Sequence, residues 1–225
     1  MDKNVPAGAA ILLEFIGAIE APKGYGTIYG NNQGKLPKPL TSMTVDEVIS
    51  LGPTWTRAYR SSAAGRYQFM NATLKDLKKE LGLRGTQTFD ANLQDRLAYH
   101  LLKRRGYESF MAGKLSVAQF GKLLAQEWAS LPVLMDTQGG SRPVKRGQSY
   151  YAGDGLNKSL VRPEAVEAVI AEAKAASIIM PSPPDVEPIP AAKPSVAGKG
   201  WPKGWIIAAA VIVAAIAVFL ITRPF

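Results

Sequence analysis

Apolar residues near the start of the chain recur with a helical period. In the stretch AGAAILLEFIGAIE they are three or four residues apart, at Ile11, Leu12, Phe15, Ile16 and Ile19. This spacing puts one apolar face along a helix, as in a helix that packs against a core. Pro22 comes just after the stretch, and the helix is therefore predicted to end at about Glu20.

The pattern then becomes irregular and turns helical again. Residues 21–43 are rich in Gly, Asn, Pro and Tyr, which predicts a loop with one short hairpin around 25–32. Thr44 and Glu47 have the spacing of a capping box, which predicts a short helix to about Leu51. Further helices are predicted at about 67–81, 90–104, 116–131 and 163–176. The predicted fold class is α+β, a mostly helical domain with a small β or loop element.

The composition changes near residue 180. Residues 181–204 are dense in proline and lack apolar periodicity, which is typical of an extended tether. Residues 205–222, WIIAAAVIVAAIAVFLIT, contain no charge, and a helix of this length spans roughly 27 Å, just enough for a bilayer's hydrocarbon layer. We therefore predict a folded domain at 1–180, a Pro-rich linker at 181–204 and a transmembrane anchor at 205–222.

Composition limits the chemistry. The chain has no cysteine, which excludes disulfides, a thiol nucleophile and thiolate zinc sites, and its one histidine excludes a multi-histidine metal centre. No metal or other cofactor is expected. The formal net charge of +9 favours polyanionic surfaces such as nucleic acid, acidic lipid or the bacterial wall. The basic clusters lack the interleaved aromatic residues of a single-strand binding platform, so no nucleic-acid partner is predicted.

Glu20 is the acid in the most unusual context. It is predicted to end an apolar helix and to open onto a loop rich in glycine and tyrosine. The negative end of the helix dipole and partial burial would both raise its pKa, as a general acid requires near neutral pH. An ordinary solvated glutamate at a helix end is equally compatible with the pattern.

The loops around this acid carry groups that suit a neutral sugar. Tyr25, Tyr29 and Asn31 offer aromatic faces and amide hydrogen-bonding groups and are candidate substrate-binding residues. The same residue types are also common in loops with no binding role.

Three segments together carry a family resemblance: IEAPKGYGTIYGN, SSAAGRYQFM and QEWASLP, in this order. Over about residues 8–175 the chain resembles the bacteriophage lambda endolysin family of lysozyme-like muramidases. The resemblance implies a small helical lysozyme-like domain with a minor β element and a peptidoglycan substrate. It also implies lytic transglycosylase activity, which cuts the β-1,4 bond between N-acetylmuramic acid and N-acetylglucosamine and leaves a 1,6-anhydro sugar.

The resemblance also assigns roles to residues. The family's catalytic acid is a glutamate at the end of the first helix, which corresponds to Glu20 here. Tyr67 and Gln68, in the GRYQ segment, are then expected to form the wall opposite this acid, and Arg66 is expected to brace the loop. No second carboxylate is required, because the substrate's own hydroxyl acts as the nucleophile; Glu127 is expected to be structural.

Some features depart from the family pattern. The usual Glu-Gly after the first helix is Glu20-Ala21-Pro22 here, which leaves the path of the next loop open. Residues 147–161 have no counterpart, and their Tyr150 and Asp154 are candidate cleft residues. Alternatives to an active enzyme are a module that binds glycan without cutting it and a structural membrane or virion component.

Partners and localisation follow from the anchor and the substrate. We expect a monomeric catalytic domain that acts on peptidoglycan strands and is held by its C-terminal helix, in a single-pass protein of the bacterial inner membrane. Lysines before the predicted span outnumber the single Arg223 after it, which favours a cytoplasmic domain, away from the periplasmic wall. Export, release at lysis or delivery in a virion would each resolve this conflict.

Overall fold

The structure is a computed structural model that describes residues 1–179. Its helices in this range are α1 (Ala7–Glu20), α2 (Val45–Tyr59), α3 (Asn71–Glu80), α4 (Ala91–Arg104), α5 (Tyr107–Met111), α6 (Val117–Glu127) and α7 (Pro163–Ile179). Two strands, β1 (Thr137–Gln138) and β2 (Pro143–Val144), pair antiparallel, with Thr137 opposite Val144. The mostly helical domain with a small sheet agrees with the predicted α+β class.

Helix α1 lies in the core and packs most extensively against α7. The two backbones approach closely at Gly8, where a Cβ atom would lie 2.4 Å from the carbonyl oxygen of Ala173. Glycine is required here because any side chain would push the helices apart. At the other end of α1, Ser130 bonds to Glu20, and the amide of Leu160 donates to the carbonyl of Ser130. Because Leu160 comes just before α7, the start of α7 lies near the end of α1, and the two helices run antiparallel.

Helix α2 is longer than predicted because it continues through Pro53 to Tyr59. The proline removes the N–H that would bond to the carbonyl of Ile49, four residues earlier. The side-chain amide of Asn71 donates to that carbonyl instead, at 2.6 Å. Gly52 leaves room for it, since a Cβ there would lie 2.1 Å from the Asn71 Nδ2 atom. The capping box of Thr44 and Glu47 is confirmed.

The hairpin predicted around 25–32 is wrong. Tyr29–Lys35 forms a 3-10 helix that is kinked at Gly30 and Asn31, both in the left-handed region with φ of 68° and 58°. The kink prevents the segment from pairing with itself, and Ile28 forms only an isolated bridge with Ala64. The small sheet lies instead at 137–144.

The other boundaries differ more modestly. Helix α3 begins at Asn71 rather than at 67, because residues 64–69 form a tight turn, and α6 ends at Glu127 rather than at 131. The short helix α5 was not predicted, and α7 extends to Ile179. Within residues 1–179 no helix has the length and apolar character needed to cross a membrane. The predicted linker and transmembrane anchor lie outside the described residues.

Candidate active site

Glu20 is the last residue of α1, and its side chain is buried, with 6% of the residue exposed. The hydroxyl of Ser130 donates a short hydrogen bond to its Oε1 atom. The Oε2 atom has no hydrogen-bond partner among the described residues. A buried carboxyl with one oxygen bonded and the other free is an unusual arrangement, because buried polar atoms are normally paired.

Burial raises the pKa of Glu20 to about 7, and the hydrogen bond from Ser130 opposes this rise. The desolvation of the charged form is thus the dominant effect, as expected for a carboxyl that has lost its water. Near neutral pH a substantial fraction of the molecules therefore carries a protonated Glu20. Such a group can give a proton to a leaving oxygen and later accept one as a carboxylate.

Tyr67 and Gln68 lie in the turn that joins Ala64 to Phe69, which pair through two backbone hydrogen bonds. Gly65 has a φ of 81° and Gln68 a φ of 49°. The side-chain amide of Gln68 donates to the carbonyl of Gly65 at 2.8 Å. This bond stabilises the turn and uses one donor of the amide, leaving its second N–H and its oxygen for other partners.

The hydroxyl of Tyr67 is buried and donates to Oδ1 of Asp95 at 2.6 Å. Tyr67 and Gln68 also line a small cavity of about 40 Å³, whose lining includes Trp128 and Ala129, the residues just before Ser130. The substrate-binding roles of Tyr67 and Gln68 stay predictions.

Tyr25 lies in the loop after Glu20 and is half-buried. Its hydroxyl also donates to Oδ1 of Asp95, at 2.9 Å. Burial and the Asp95 carboxylate raise the pKa of Tyr25 to about 12, so the phenol stays neutral. The guanidinium of Arg66 lies 5.2 Å from the Tyr25 ring and pairs with Glu14 on α1. These contacts suit the bracing role expected for Arg66, which stays a prediction.

Two neighbouring residues of α4 hold these loops together. One is Asp95, which accepts from both tyrosines. The other is Gln94, which is fully buried and accepts a hydrogen bond from the backbone amide of Arg66 at 2.9 Å. Its side-chain amide donates to the carbonyl of Tyr25 at 3.2 Å. The loop after the acid and the GRYQ turn are therefore fixed to one point of α4.

The remaining candidates lie at different places. Tyr29 is partly exposed, Asn31 is exposed, and both begin the 3-10 helix of the loop that follows Glu20. Asp154 accepts hydrogen bonds from the amides of Leu156 and Asn157, each at 2.8 Å, and thus stabilises its own turn. Tyr150 packs edge-on against Tyr151 at 5.0 Å. None of these four side chains forms a hydrogen bond with Glu20 in the described structure.

Other acids that could assist have local partners. Glu127 pairs with Arg105 at 2.7 Å and also lines the cavity beside Tyr67 and Gln68, so the structural role expected for it stays a prediction. Asp46 pairs with Lys78, and Glu47 caps α2. Across residues 1–179 no cluster of three or more His, Asp or Glu side chains is placed to hold a metal ion.

Sequence reasoning missed Ser130, Gln94 and Asp95. Ser130 lies within the QEWASLP segment but 110 positions from Glu20, and only the folded chain brings the two together. Gln94 and Asp95 lie within a predicted helix, and only the structure shows that they are 0% and 1% exposed, where polar side chains require partners.

The comparisons with known proteins give one match. A family model described as Endolysin matches residues 44–155. The matched range includes the GRYQ turn, Asp95, Ser130 and the segment with Tyr150 and Asp154, while Glu20 precedes it. No curated protein and no solved structure matches the chain.

Proposed function

We propose that this endolysin-like protein of the lysozyme type is a lytic transglycosylase that degrades peptidoglycan. The match of residues 44–155 to the Endolysin family model supports a phage-type, peptidoglycan-degrading lysis enzyme. The bond cut is the β-1,4 bond between N-acetylmuramic acid and N-acetylglucosamine. One observation carries this proposal: a buried glutamate at the end of α1, Glu20, with a pKa near 7 and one free oxygen.

The reaction uses the two protonation states of Glu20 in turn. The carboxylic acid gives its proton to the glycosidic oxygen, and the bond from that oxygen to C1 of the muramic acid breaks. The C6 hydroxyl of the same sugar then attacks C1, and its proton passes to the Glu20 carboxylate. The product is a 1,6-anhydro ring, the acid is restored, and no water is consumed.

A single acid suffices for this route, and the surroundings of Glu20 support it. A retaining hydrolase of two carboxylates would need a second acid within about 5–5.5 Å of the first, and an inverting one within about 6.5–9.5 Å. Glu127, Asp46 and Glu47 are each engaged with a partner of their own. Burial and the hydrogen bond from the neutral Ser130 hydroxyl account for the shift in the pKa of Glu20, and no neighbouring carboxylate contributes to it among the described residues.

Product analysis tests the proposal directly. Purified sacculi are digested with the full chain, and the soluble fragments are analysed by mass spectrometry. Anhydro-muropeptides support transglycosylation, whereas reducing ends, which are 18 Da heavier by the mass of one water, would indicate hydrolysis. Sacculi that remain intact would indicate a module that binds glycan without cutting it.

The acid is tested by substitution. Glu20→Gln keeps the shape of the side chain but cannot donate a proton as an acid does, so digestion is expected to fall by about 10²- to 10⁴-fold. Glu172→Gln is the matched control, because Glu172 is an exposed glutamate on α7. If the Glu20→Gln variant digests sacculi at the wild-type rate, the mechanism is overturned.

We also propose that residues 205–222 anchor the enzyme in the bacterial inner membrane, with 181–204 as its tether to the wall-degrading domain. Eighteen uncharged residues flanked by Lys203 and Arg223 support this. Fractionation of the full chain against residues 1–180 tests the anchor: the full chain is expected with membranes and the truncated chain in the soluble fraction. Equal distribution of the two would contradict it. Protease treatment of spheroplasts shows the side on which the domain lies.

A further inference from the structure

We propose that Ser130 is a positioning residue for the general acid: its hydroxyl holds one oxygen of the Glu20 carboxyl, so that the other oxygen carries and delivers the proton. This inference rests on the proposed function of Glu20. It concerns a side chain that contacts the acid and not the substrate.

The direction of the hydrogen bond follows from the partners available. Ser130 is fully buried, and its hydroxyl has the Oε1 atom of Glu20 as its one partner in the described structure. A carboxylate only accepts hydrogen bonds, so the Ser130 hydroxyl is the donor to Oε1 whenever Glu20 is ionised. This bond occupies Oε1 and leaves Oε2, the oxygen without a partner, as the atom to which the acid's proton is assigned.

The backbone around Ser130 is fixed on both sides by the segment at 147–161. The hydroxyl of Ser149 donates to the carbonyl of Ala129 at 2.8 Å, and this serine is also buried. The amide of Leu160 donates to the carbonyl of Ser130 itself at 2.8 Å. Because two bonds fix the peptide units at this position, the hydroxyl is held in place before any substrate binds, as an effective positioning group requires.

The bond also favours the reaction itself. A hydroxyl binds a carboxylate more strongly than a neutral carboxylic acid, because the charge assists the hydrogen bond. The Ser130 bond therefore strengthens while Glu20 gives up its proton, and interactions that strengthen in the transition state are the ones that accelerate a reaction. Burial of Glu20 acts in the opposite direction, and the balance leaves the acid with a pKa of about 7.

Ser130→Ala tests the proposal through the pH profile of kcat/KM on soluble glycan strands. Loss of a hydrogen bond to a charged group is expected to move the alkaline limb, which lies near the pKa of Glu20 at about 7, upward by about one pH unit. The value of kcat at pH 6 is expected to fall by about 10-fold, with KM nearly unchanged, since the acid is less well oriented. Cysteine is a weaker donor of similar shape, so Ser130→Cys is expected to give a limb position and a kcat between those of the wild type and Ser130→Ala.

A titration that does not depend on activity gives a second measurement. Protein labelled with ¹³C at the glutamate carboxyls is titrated by NMR, and the Glu20 signal is assigned from its loss in Glu20→Gln. Its midpoint is expected to rise by about one unit in Ser130→Ala. Ser62→Ala is the control, because Ser62 is also buried but its hydroxyl bonds to the amide of Asn71. This control is expected to keep the wild-type midpoint.

The outcomes separate the two proposals. If Glu20→Gln is inactive and Ser130→Ala keeps both the wild-type limb and the wild-type midpoint, the role of Ser130 is overturned while that of Glu20 stands. A lower kcat with an unmoved limb and midpoint would equally reduce Ser130 to a packing residue. If Glu20→Gln digests sacculi normally, the proposed function itself fails.

Discussion

At the residue scale, Glu20 combines a chemical advantage with a cost in stability. Its pKa is about 7 in the folded protein against 4.5 as the ordinary value. Between these two pH values the folded state holds a proton that the unfolded state has released. The free energy of unfolding therefore falls as pH rises from about 4.5 to about 7 and stays lowered above that.

Glu20→Gln is consequently expected to stabilise the protein at pH 8. A pKa difference of about 2.5 units corresponds to about 3 kcal/mol, which the wild type loses over this pH range and the variant does not. Urea unfolding at pH 4.5 and at pH 8 measures it. An identical pH dependence in the two proteins would mean that Glu20 is ionised at no cost in the folded state.

Tyr67 and Tyr25 provide a second case at this scale, because both donate to the same oxygen of Asp95. Tyr67→Phe is expected to lower the free energy of unfolding by about 1–3 kcal/mol, since it removes a donor from a buried carboxylate. Tyr25→Phe is the matched variant. It is expected to cost less, because Tyr25 is half-buried and water can replace it. Equal costs, measured by urea unfolding, would contradict this order.

The residue scale also shows how far the sequence could predict the site. Glu20 was predicted as the acid from its place at the end of an apolar helix together with the family resemblance. The position of Ser130 depends on a contact across 110 residues, and the shared role of Tyr25 and Tyr67 depends on Asp95 in a third segment. Such contacts form only when the helices pack, and no local pattern encodes them.

At the element scale, α2 and the start of α3 support each other through Asn71. The side chain of Asn71 takes the place of the N–H that Pro53 lacks, so the helix continues where a proline would otherwise end it. The end predicted near Leu51 lies just before Pro53, at a place where a proline normally ends a helix. The side chain that replaces the missing N–H belongs to Asn71, 22 residues from Ile49, and no local pattern shows it. The capping box of Thr44 and Glu47, which depends on neighbouring residues alone, was predicted correctly.

Asn71→Ala is expected to destabilise the domain by about 1–2 kcal/mol, because the Ile49 carbonyl loses its donor. In a Pro53→Ala background the same substitution is expected to cost less, since residue 53 then has an N–H for that carbonyl. A double-mutant cycle by urea unfolding gives the difference. Additive costs would show that Asn71 does not serve the position left by the proline.

At the scale of the whole molecule, α1 and α7 bring the two ends of the described chain together. Both helices lie outside the matched range of 44–155, and each supplies buried residues to the same core. Their contact depends on small residues, Gly8 on one side and Ala173 on the other. The sequence predicted the helix α7, but only the packing shows that its Ala173 meets Gly8.

Gly8→Ala is expected to destabilise the domain by about 1–3 kcal/mol, because the added methyl group would overlap the Ala173 carbonyl. Gly34→Ala is the control, as a Cβ at Gly34 would meet no atom within 4 Å. Thermal unfolding of residues 1–180 compares the two. Equal midpoints would show that α7 can move aside without loss.

The antiparallel packing of α1 and α7 also sets a distance. Glu20 is twelve residues beyond Gly8, and at about 1.5 Å per residue the acid lies about 18 Å along α1 from the level of Ala173. Helix α7 ends beside the Gly8 end of α1, because Ala173 and Ser177 both approach Gly8. Under the proposed anchoring through residues 205–222, the length of α1 would therefore separate the acid from the end of the domain that leads to the anchor.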